Sequence, residues 1–434
     1  MEAPSERGLC LNAMTTKYEE RILEIGAQAR NAARALARAT TAEKNTALLA
    51  AADQIERSSG RILAANETDM KSAKASDLAS AMLDRLRLDI GRINAIARSV
   101  RQVAALPDPV GSVIREWDRG DGLEFAKVRV PIGVIGIIYE SRPNVTSDAA
   151  SLCLKTGNAV VLRGGSESLG SNLVIAEALR EGCREAGIIP DAIQIIDLTD
   201  RGAVRAMAEM DQYIDLIIPR GGKELIEAVT KLARMPVIKH YDGVCHIYVD
   251  RAADLAMAES IVINAKCQRP SVCNAVETLL VHRDIADAFL RSCGHALQEH
   301  RVELRGDERT RAILGPAVAL ATEQDWRTEY LDLILSIRIV DSLKEAVEHI
   351  ETYGSHHTDA IVTEDEPIAQ AFLRDVDSSA VFWNASTRLN DGGEFGFGAE
   401  IGISTNRLHA RGPMALEDLT TYKYVVRGKG HLRG

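Results

Sequence analysis

The polar run Asn264-Ala265-Lys266-Cys267-Gln268-Arg269-Pro270-Ser271-Val272-Cys273-Asn274-Ala275-Val276-Glu277-Thr278 gathers more chemistry-bearing side chains than any other stretch of the chain. Pro270 and Ser271 put its middle in a loop between a helical pattern and a strand pattern. A cysteine in such a loop can present its sulfur while its own backbone N–H faces the same space. A carbonyl attacked by that thiolate develops an oxyanion, which the N–H can stabilise. Cys273 is thus the candidate nucleophile, and Cys267, at the helix end, is a rival with poorer aim. Inert packing is the alternative for both, since most buried cysteines are structural. Lys266 and Arg269 are positive charges that could favour a thiolate, or simply solvated loop charges. The pair His356-His357 has no convergent carboxylate in the sequence, so no metal centre is expected.

The chain that positions these residues has 434 residues, too many for one small core, so two or three domains are expected. Lys and Arg total 52 against 62 Asp and Glu, a formal charge of -10, which argues against nucleic acid or an anionic membrane as partner. Aromatic residues make up only 4%, too few for base stacking. A small-molecule substrate remains, and local arginines can still make it an anionic one. No stretch approaches the roughly 20 apolar residues of a membrane span. The first sixteen residues lack the apolar core and cleavage site of a signal peptide, and Met14 is an alternative start to Met1. Seven cysteines at scattered spacing suit neither a disulfide framework nor zinc, so reduced thiols and a cytoplasmic location are expected.

Residues 17 to about 105 read as helices, with Ile22, Leu23, Ile25 and Ala29 and then Leu48, Leu49, Ala52 and Ile55 at helical spacing. Val113–Trp117 and Phe125–Val130 flank Asp118-Arg119-Gly120-Asp121-Gly122, a β-hairpin pattern. Its edges need partners, and pairing with a neighbouring subunit, through the tail strand Tyr422–Val426, is the expectation. From Gly133 to Asp250, continuous apolar strands alternate with helices, which implies a parallel sheet covered on both faces. A second α/β unit runs from about Ala253 to Asn384. It includes strands at Ala275–His282 and Leu331–Val340.

The nucleophile run resembles that of the γ-glutamyl phosphate reductase family, within the aldehyde dehydrogenase superfamily. So do Pro131-Ile132-Gly133-Val134-Ile135-Gly136-Ile137-Ile138-Tyr139-Glu140-Ser141-Arg142-Pro143-Asn144-Val145-Thr146 and Ile218-Pro219-Arg220-Gly221-Gly222. Three more blocks are His240-Tyr241-Asp242-Gly243-Val244-Cys245-His246, Phe395 through Thr405, and His409-Ala410-Arg411-Gly412-Pro413. The resemblance covers essentially residues 17–430, with the motifs in order. It implies an aldehyde dehydrogenase-like α/β fold with a Rossmann-type cofactor domain (17–112 and 131–250) and an α/β catalytic domain (251–390). It also implies a β oligomerisation flap (113–130 and 412–430) and a return segment (391–411).

The implied chemistry is reduction of an acyl phosphate through a thioester on Cys273, the second step of proline synthesis from glutamate. Superfamily members that hydrolyse the thioester carry a glutamate where this chain has His240, ahead of Gly243, so its absence fits exchange with phosphate. Members preferring NAD often place a carboxylate at the position of Ser166. Ser166 with Arg163 instead leaves room and charge for a ribose phosphate, so NADPH is the implied cofactor. Pro219, Arg220, Gly221 and Gly222 resemble the turn under the pyrophosphate, and Glu329 the glutamate on the nicotinamide ribose. For the substrate the resemblance implies anion contact by Arg142 and Arg269, oxyanion or phosphate contact by Asn144, and a glutamyl pocket at Asn384, Ser386 and Thr387. A homo-oligomer and association with glutamate 5-kinase are the implied partners. A CoA-acylating aldehyde dehydrogenase, or a non-catalytic assembly protein of the same fold, is the competing reading.

Overall fold

A computed structural model of the protein describes residues 17–200 and 202–433. Met14, the alternative start, lies outside the described residues. The chain divides into two compact units, Met1–Ile238 with Ala415–Gly434, and Lys239–Met414.

The first unit opens with α1 (Lys17–Leu36), α2 (Thr41–Arg57), α3 (Ser59–Ala75), α4 (Ser80–Leu86) and α5 (Ile90–Ala105). Their starts follow from local chemistry. Thr40 and Glu43 satisfy each other's backbone N–H groups ahead of α2, and Asp89 accepts from Arg92 N–H at the start of α5. The stripe Ile22, Ile25, Ala29 and Ala33 packs into the core with Val134, Val161 and Ile217.

The hairpin forms as β1 (Val113–Asp118) and β2 (Glu124–Pro131). Then come β3 (Val134–Tyr139), α6 (Asn144–Lys155), β4 (Ala159–Arg163), α7 (Leu169–Glu185), β5 (Ile193–Ile195), α8 (Gly202–Ala208), β6 (Leu216–Arg220) and α9 (Lys223–Leu232). Their sheet is parallel, in the order β5-β4-β3-β6. Strand order reverses beside β3. The loops after β3 and β6 therefore flank a switch point, where open α/β sheets take ligands. Helices α2 and α7 touch backbone to backbone, since a Cβ on Gly182 would fall 2.3 Å from Ala51.

The second unit holds β7 (Cys245–Val249), α10 (Leu255–Cys267), β8 (Val276–His282), α11 (Arg283–Glu299), β9 (Glu303–Gly306), α12 (Glu308–Leu314) and β10 (Ala319–Leu320). It continues with β11 (Ile334–Val340), α13 (Leu343–Tyr353), β12 (Thr358–Val362), α14 (Glu366–Asp375), β13 (Ala380–Trp383), β14 (Ile403–Ser404) and β15 (Gly412–Pro413). Seven parallel strands lie in the order β10-β9-β11-β8-β7-β12-β13. The central strands β7, β8 and β12 are buried along their whole length, as a sheet covered on both faces requires.

Three expectations shift. The boundary falls at Ile238 and not at residue 250, because β7 pairs with β8 and β12 of the second sheet. Residues 391–411 belong to that same unit, where Ile401 N–H bonds Met414 O and Thr405 N–H bonds Lys239 O. Strand β11 begins at Ile334, since Leu331 has φ 55° and gives its N–H to Glu277.

The tail forms β16 (Thr420–Arg427), which pairs antiparallel with β2 of its own chain, completing the three-stranded sheet β1-β2-β16. The expected partner for the tail was a neighbouring subunit's hairpin. A continuous eight-residue register from Thr420↔Pro131 to Arg427↔Glu124 fills that edge within the chain instead. Among the described residues, no helix is long and apolar enough to cross a membrane.

Candidate active site

Parallel strands all start at one edge of a sheet, and in the second unit that amino edge collects the reactive side chains. The segment 240–244 runs into β7, Cys273 stands just ahead of β8, and His357 directly precedes β12. Pairing of Cys245 with Val276, and of Asp359 with His246, brings the three entries side by side. One nitrogen or sulfur atom from each of His240, Cys273 and His357 lies within 4.8 Å of the other two. Cys273 and His240 are half-buried, and His357 is buried.

Each member is held from behind. His240 Nδ1 lies 2.8 Å from the Ile403 carbonyl, which can only accept, so in the neutral ring Nδ1 carries the proton and Nε2 the lone pair. The His240 and His357 rings meet edge to face at 5.4 Å. His357 Nδ1 lies 2.7 Å from Thr358 Oγ1, and that hydroxyl accepts from Asn390 Nδ2 at 2.7 Å. Its Nε2 is buried without a hydrogen-bond partner. Burial, and then the neighbouring His240, hold the His357 imidazole well below its ordinary pKa, so it is neutral.

The nucleophile loop is pinned along its backbone. Ala275 N–H bonds Val272 O at 3.0 Å, and the Cys245 thiol donates to Cys273 O at 3.1 Å. Gly243 passes so close that a Cβ there would stand 2.0 Å from Cys273 O. Asn274 donates from Nδ2 to Asn390 O at 3.0 Å and accepts from Arg388 Nη1 on Oδ1. Arg388 Nε also donates to Gln268 Oε1 at 3.0 Å. Burial and the nearby Arg269 lower the Arg388 pKa, while Asp391 and Cys273 act the other way. Arg388 was not among the sequence candidates; its link to Asn274 is a tertiary contact with no local signal.

Other sequence candidates land in mixed positions. Arg269 is exposed on the loop. Lys266 is buried, its Nζ 2.6 Å from the Glu277 carboxylate. Cys267 closes α10, and burial raises its thiol pKa. Ser386 caps the turn Thr387–Leu389, and Thr387 is buried with Oγ1 lacking a partner. That turn leads to Asn390 and so to the amino edge. Asn384 is not brought there. Its amide bonds both N–H and C=O of Thr363 (2.9 and 3.0 Å), past the far end of β12. Five residues of strand separate the two edges, roughly 16 Å at about 3.3 Å per residue. Glu329 is half-buried, and its charge acts on Glu277 and Cys245.

In the first unit the remaining candidates border the switch point. Arg142 and Asn144 are exposed in the loop after β3 and at the start of α6. Asn144 Nδ2 donates to Asp148 at 2.8 Å. Burial pushes the Asp148 carboxyl up to about 6, against the pull of Asn144 and Arg220. Ser141, at φ 35°, gives both N–H and hydroxyl to Glu167 Oε1 (2.7 and 2.6 Å), which fixes that carboxylate over the Gly164-Gly165 turn. Ser166 is exposed. Arg163 ends β4 with Nε buried and unpartnered, a donor that a phosphate oxygen would satisfy. Pro219 and Arg220 end β6, and Gly221 and Gly222 lead into α9. Gly222 N–H already binds the Glu140 carboxylate at 2.9 Å, so this helix start accepts an anion. The residues present therefore fit the phosphates of a dinucleotide.

Comparison with known proteins places this geometry. Residues 3–327 match the model of the aldehyde dehydrogenase family. The chain is 54% identical over 414 residues to a γ-glutamyl phosphate reductase of Geotalea daltonii, covering 95% of this chain and 99% of that one. It is 57% identical over 408 residues to one of Moorella thermoacetica, covering 94% and 97%. The crystal structure of γ-glutamyl phosphate reductase from Thermotoga maritima is similar with a TM-score of 0.94 at 49% identity, covering 95% of this chain and all of that one. With more than half of its residues identical to the Geotalea and Moorella proteins over nearly its whole length and its fold superposing on the Thermotoga structure, the chain belongs to the aldehyde dehydrogenase family and, within it, to the γ-glutamyl phosphate reductases.

Proposed function

We propose that the chain reduces L-glutamyl 5-phosphate to L-glutamate 5-semialdehyde and phosphate, with NADPH as the reductant. The observation that carries this reading is identity of 54–57% with γ-glutamyl phosphate reductases over nearly the whole chain, nucleophile loop included. In it the Cys273 sulfur attacks the acyl carbon, the carbon–oxygen bond to phosphate breaks, and a thioester forms. The nicotinamide cofactor, when bound, supplies the hydride that reduces this thioester. Collapse of the resulting thiohemiacetal returns the thiol and frees the aldehyde.

His240 has its lone-pair nitrogen in the neighbourhood of the sulfur, where it can take the thiol proton. Arg388 supports the thiolate and Arg269 draws in the anionic substrate. Ser386 and Thr387 shape the pocket wall beside them. Roles for Arg142 and Asn144 in anion and oxyanion contact, and for Asn384 in the glutamyl pocket, rest on the family resemblance. On the cofactor, Arg163 and Ser166 favour the extra phosphate of NADPH, Pro219 to Gly222 the pyrophosphate, and Glu329 the ribose. A homo-oligomer, association with glutamate 5-kinase, and a cytoplasmic location complete the reading.

The test runs the reaction backwards. Glutamate semialdehyde, NADP and phosphate should generate NADPH absorbance, and omitting phosphate should abolish it. Activity with CoA in place of phosphate would favour the acylating alternative. Cys273→Ser should remove the activity and Cys267→Ser should retain most of it; the opposite pattern overturns the assignment.

A further inference from the structure

The two histidines that meet at Cys273 exceed what a nucleophile needs. A single nearby base can take a thiol proton, yet here two imidazoles and one sulfur converge within 4.8 Å. Both rings are fixed through Nδ1, His240 by the Ile403 carbonyl and His357 by the Thr358 hydroxyl. Oxygen partners on Nδ1 are the device that orients a histidine toward a metal through Nε2. His357 Nε2 is buried and unpartnered, a polar nitrogen whose burial is otherwise an uncompensated cost. In a tetrahedral zinc site, with Zn–S of about 2.3 Å and Zn–N of about 2.0–2.1 Å, ligand atoms stand roughly 3.3–3.6 Å apart. The cluster needs to contract by about an ångström from its outer limit, within reach of the half-buried His240 and Cys273.

We propose that His240, Cys273 and His357 form a binding site for Zn2+, three protein ligands with an open fourth position. One thiolate with two imidazoles selects a borderline-soft ion such as Zn2+ over Mg2+ or Ca2+. On binding, the sulfur–hydrogen bond breaks, a sulfur–zinc bond forms, and the proton leaves to buffer; nothing is oxidised or reduced. Binding stands on the geometry alone. Its consequence, reversible inhibition by occupation of the nucleophile, rests on the function proposed above.

Co2+ titrated into the full-length protein is the probe, followed by displacement with Zn2+. The expected result is one Co2+ per chain, with the visible bands of tetrahedral cobalt and a near-ultraviolet thiolate-to-cobalt charge-transfer band. The charge-transfer band should vanish in Cys273→Ser and persist in Cys267→Ser. His240→Gln should weaken Co2+ binding at least ~10-fold while thermal stability is kept. His357→Gln should do the same, and His240→Gln decides the matter if the buried variant fails to fold. Absence of the charge-transfer band, or its survival in Cys273→Ser, overturns the site. If the band appears and no combination of semialdehyde, NADP and phosphate reacts, the site stands and the proposed reaction falls. If turnover occurs and Zn2+ neither binds nor inhibits it, the reaction stands and this inference falls.

Discussion

At the scale of single residues, burial disqualifies the other described cysteines as thiolates. Burial raises the thiols of Cys153, Cys183, Cys245 and Cys293, with Cys183 pushed up to about 12, and Cys267 moves the same way at a helix C-terminus. Arg388 holds the Asn274 side chain next to the nucleophile, and its charge is coupled to Cys273. Replacing it by Gln removes charge-assisted contacts worth about 2–3 kcal/mol, so kcat/KM should fall roughly 30- to 150-fold. Arg388→Lys should restore part of the loss; unchanged steady-state kinetics in the Gln variant would remove Arg388 from the site. Asp325 offers a stability counterpart. Burial works against its charge, but hydrogen bonds from Thr322, Arg305 and Tyr330 outweigh that and hold its carboxyl well below the usual range. A depressed folded-state pKa gives stability above about pH 3.9 that is lost as pH falls through the folded value. Asp325→Asn should therefore cost on the order of 2 kcal/mol at pH 7 in denaturant melts. The gap between the two proteins should narrow steadily below about pH 4.

At the scale of elements, the site is made by strand starts. Gly243 lets the segment entering β7 slide against the backbone of the nucleophile loop entering β8. Gly243→Ala would force Cys273 aside, and a displacement near 1 Å is enough for about a 10²-fold loss of kcat with the fold intact. Circular dichroism and a reverse-reaction assay check it; a fully active Ala variant would mean the two segments have slack. This contact also marks the limit of what the sequence discloses. Pro270 and Ser271 made the Cys273 loop readable, and continuous apolar runs made β3, β7 and β8 readable, because both are local. The approach of His357 is not local. It follows from β12 lying beside β7 in a parallel register, and nothing around His356-His357 in the chain announces it. Asn384 makes the same point from the other side: its φ of 55° and its bonds to Thr363 make it a turn residue beyond β12, a placement that no neighbouring residue in the chain announces.

At the scale of the whole molecule, the hairpin was legible and its partner was not, since alternation specifies an edge without saying which strand fills it. With β2 enclosed, β1 and β16 remain as the outer strands, and Val113, Ile114, Trp117, Tyr422, Tyr424 and Val426 are exposed on them. Such edges invite pairing with another copy. Light scattering should give at least a dimer, and Ile114→Lys with Trp117→Lys should shift the mass toward one chain; a native protein of monomeric mass would defeat this expectation. The enclosed strand has a separate meaning, which concerns order in time. The second unit is one uninterrupted stretch, Lys239–Met414, and has every strand it needs before the last residues of the first unit are synthesised. Until Thr420–Arg427 leave the ribosome, β2 lacks its long partner, and the Asn158 amide lacks the Leu419 carbonyl it bonds at 2.7 Å. Completion of the first unit thus waits for synthesis of Thr420–Arg427, and a chain cut short before Thr420 carries an open, adhesive edge that distinguishes it from one that has passed that point.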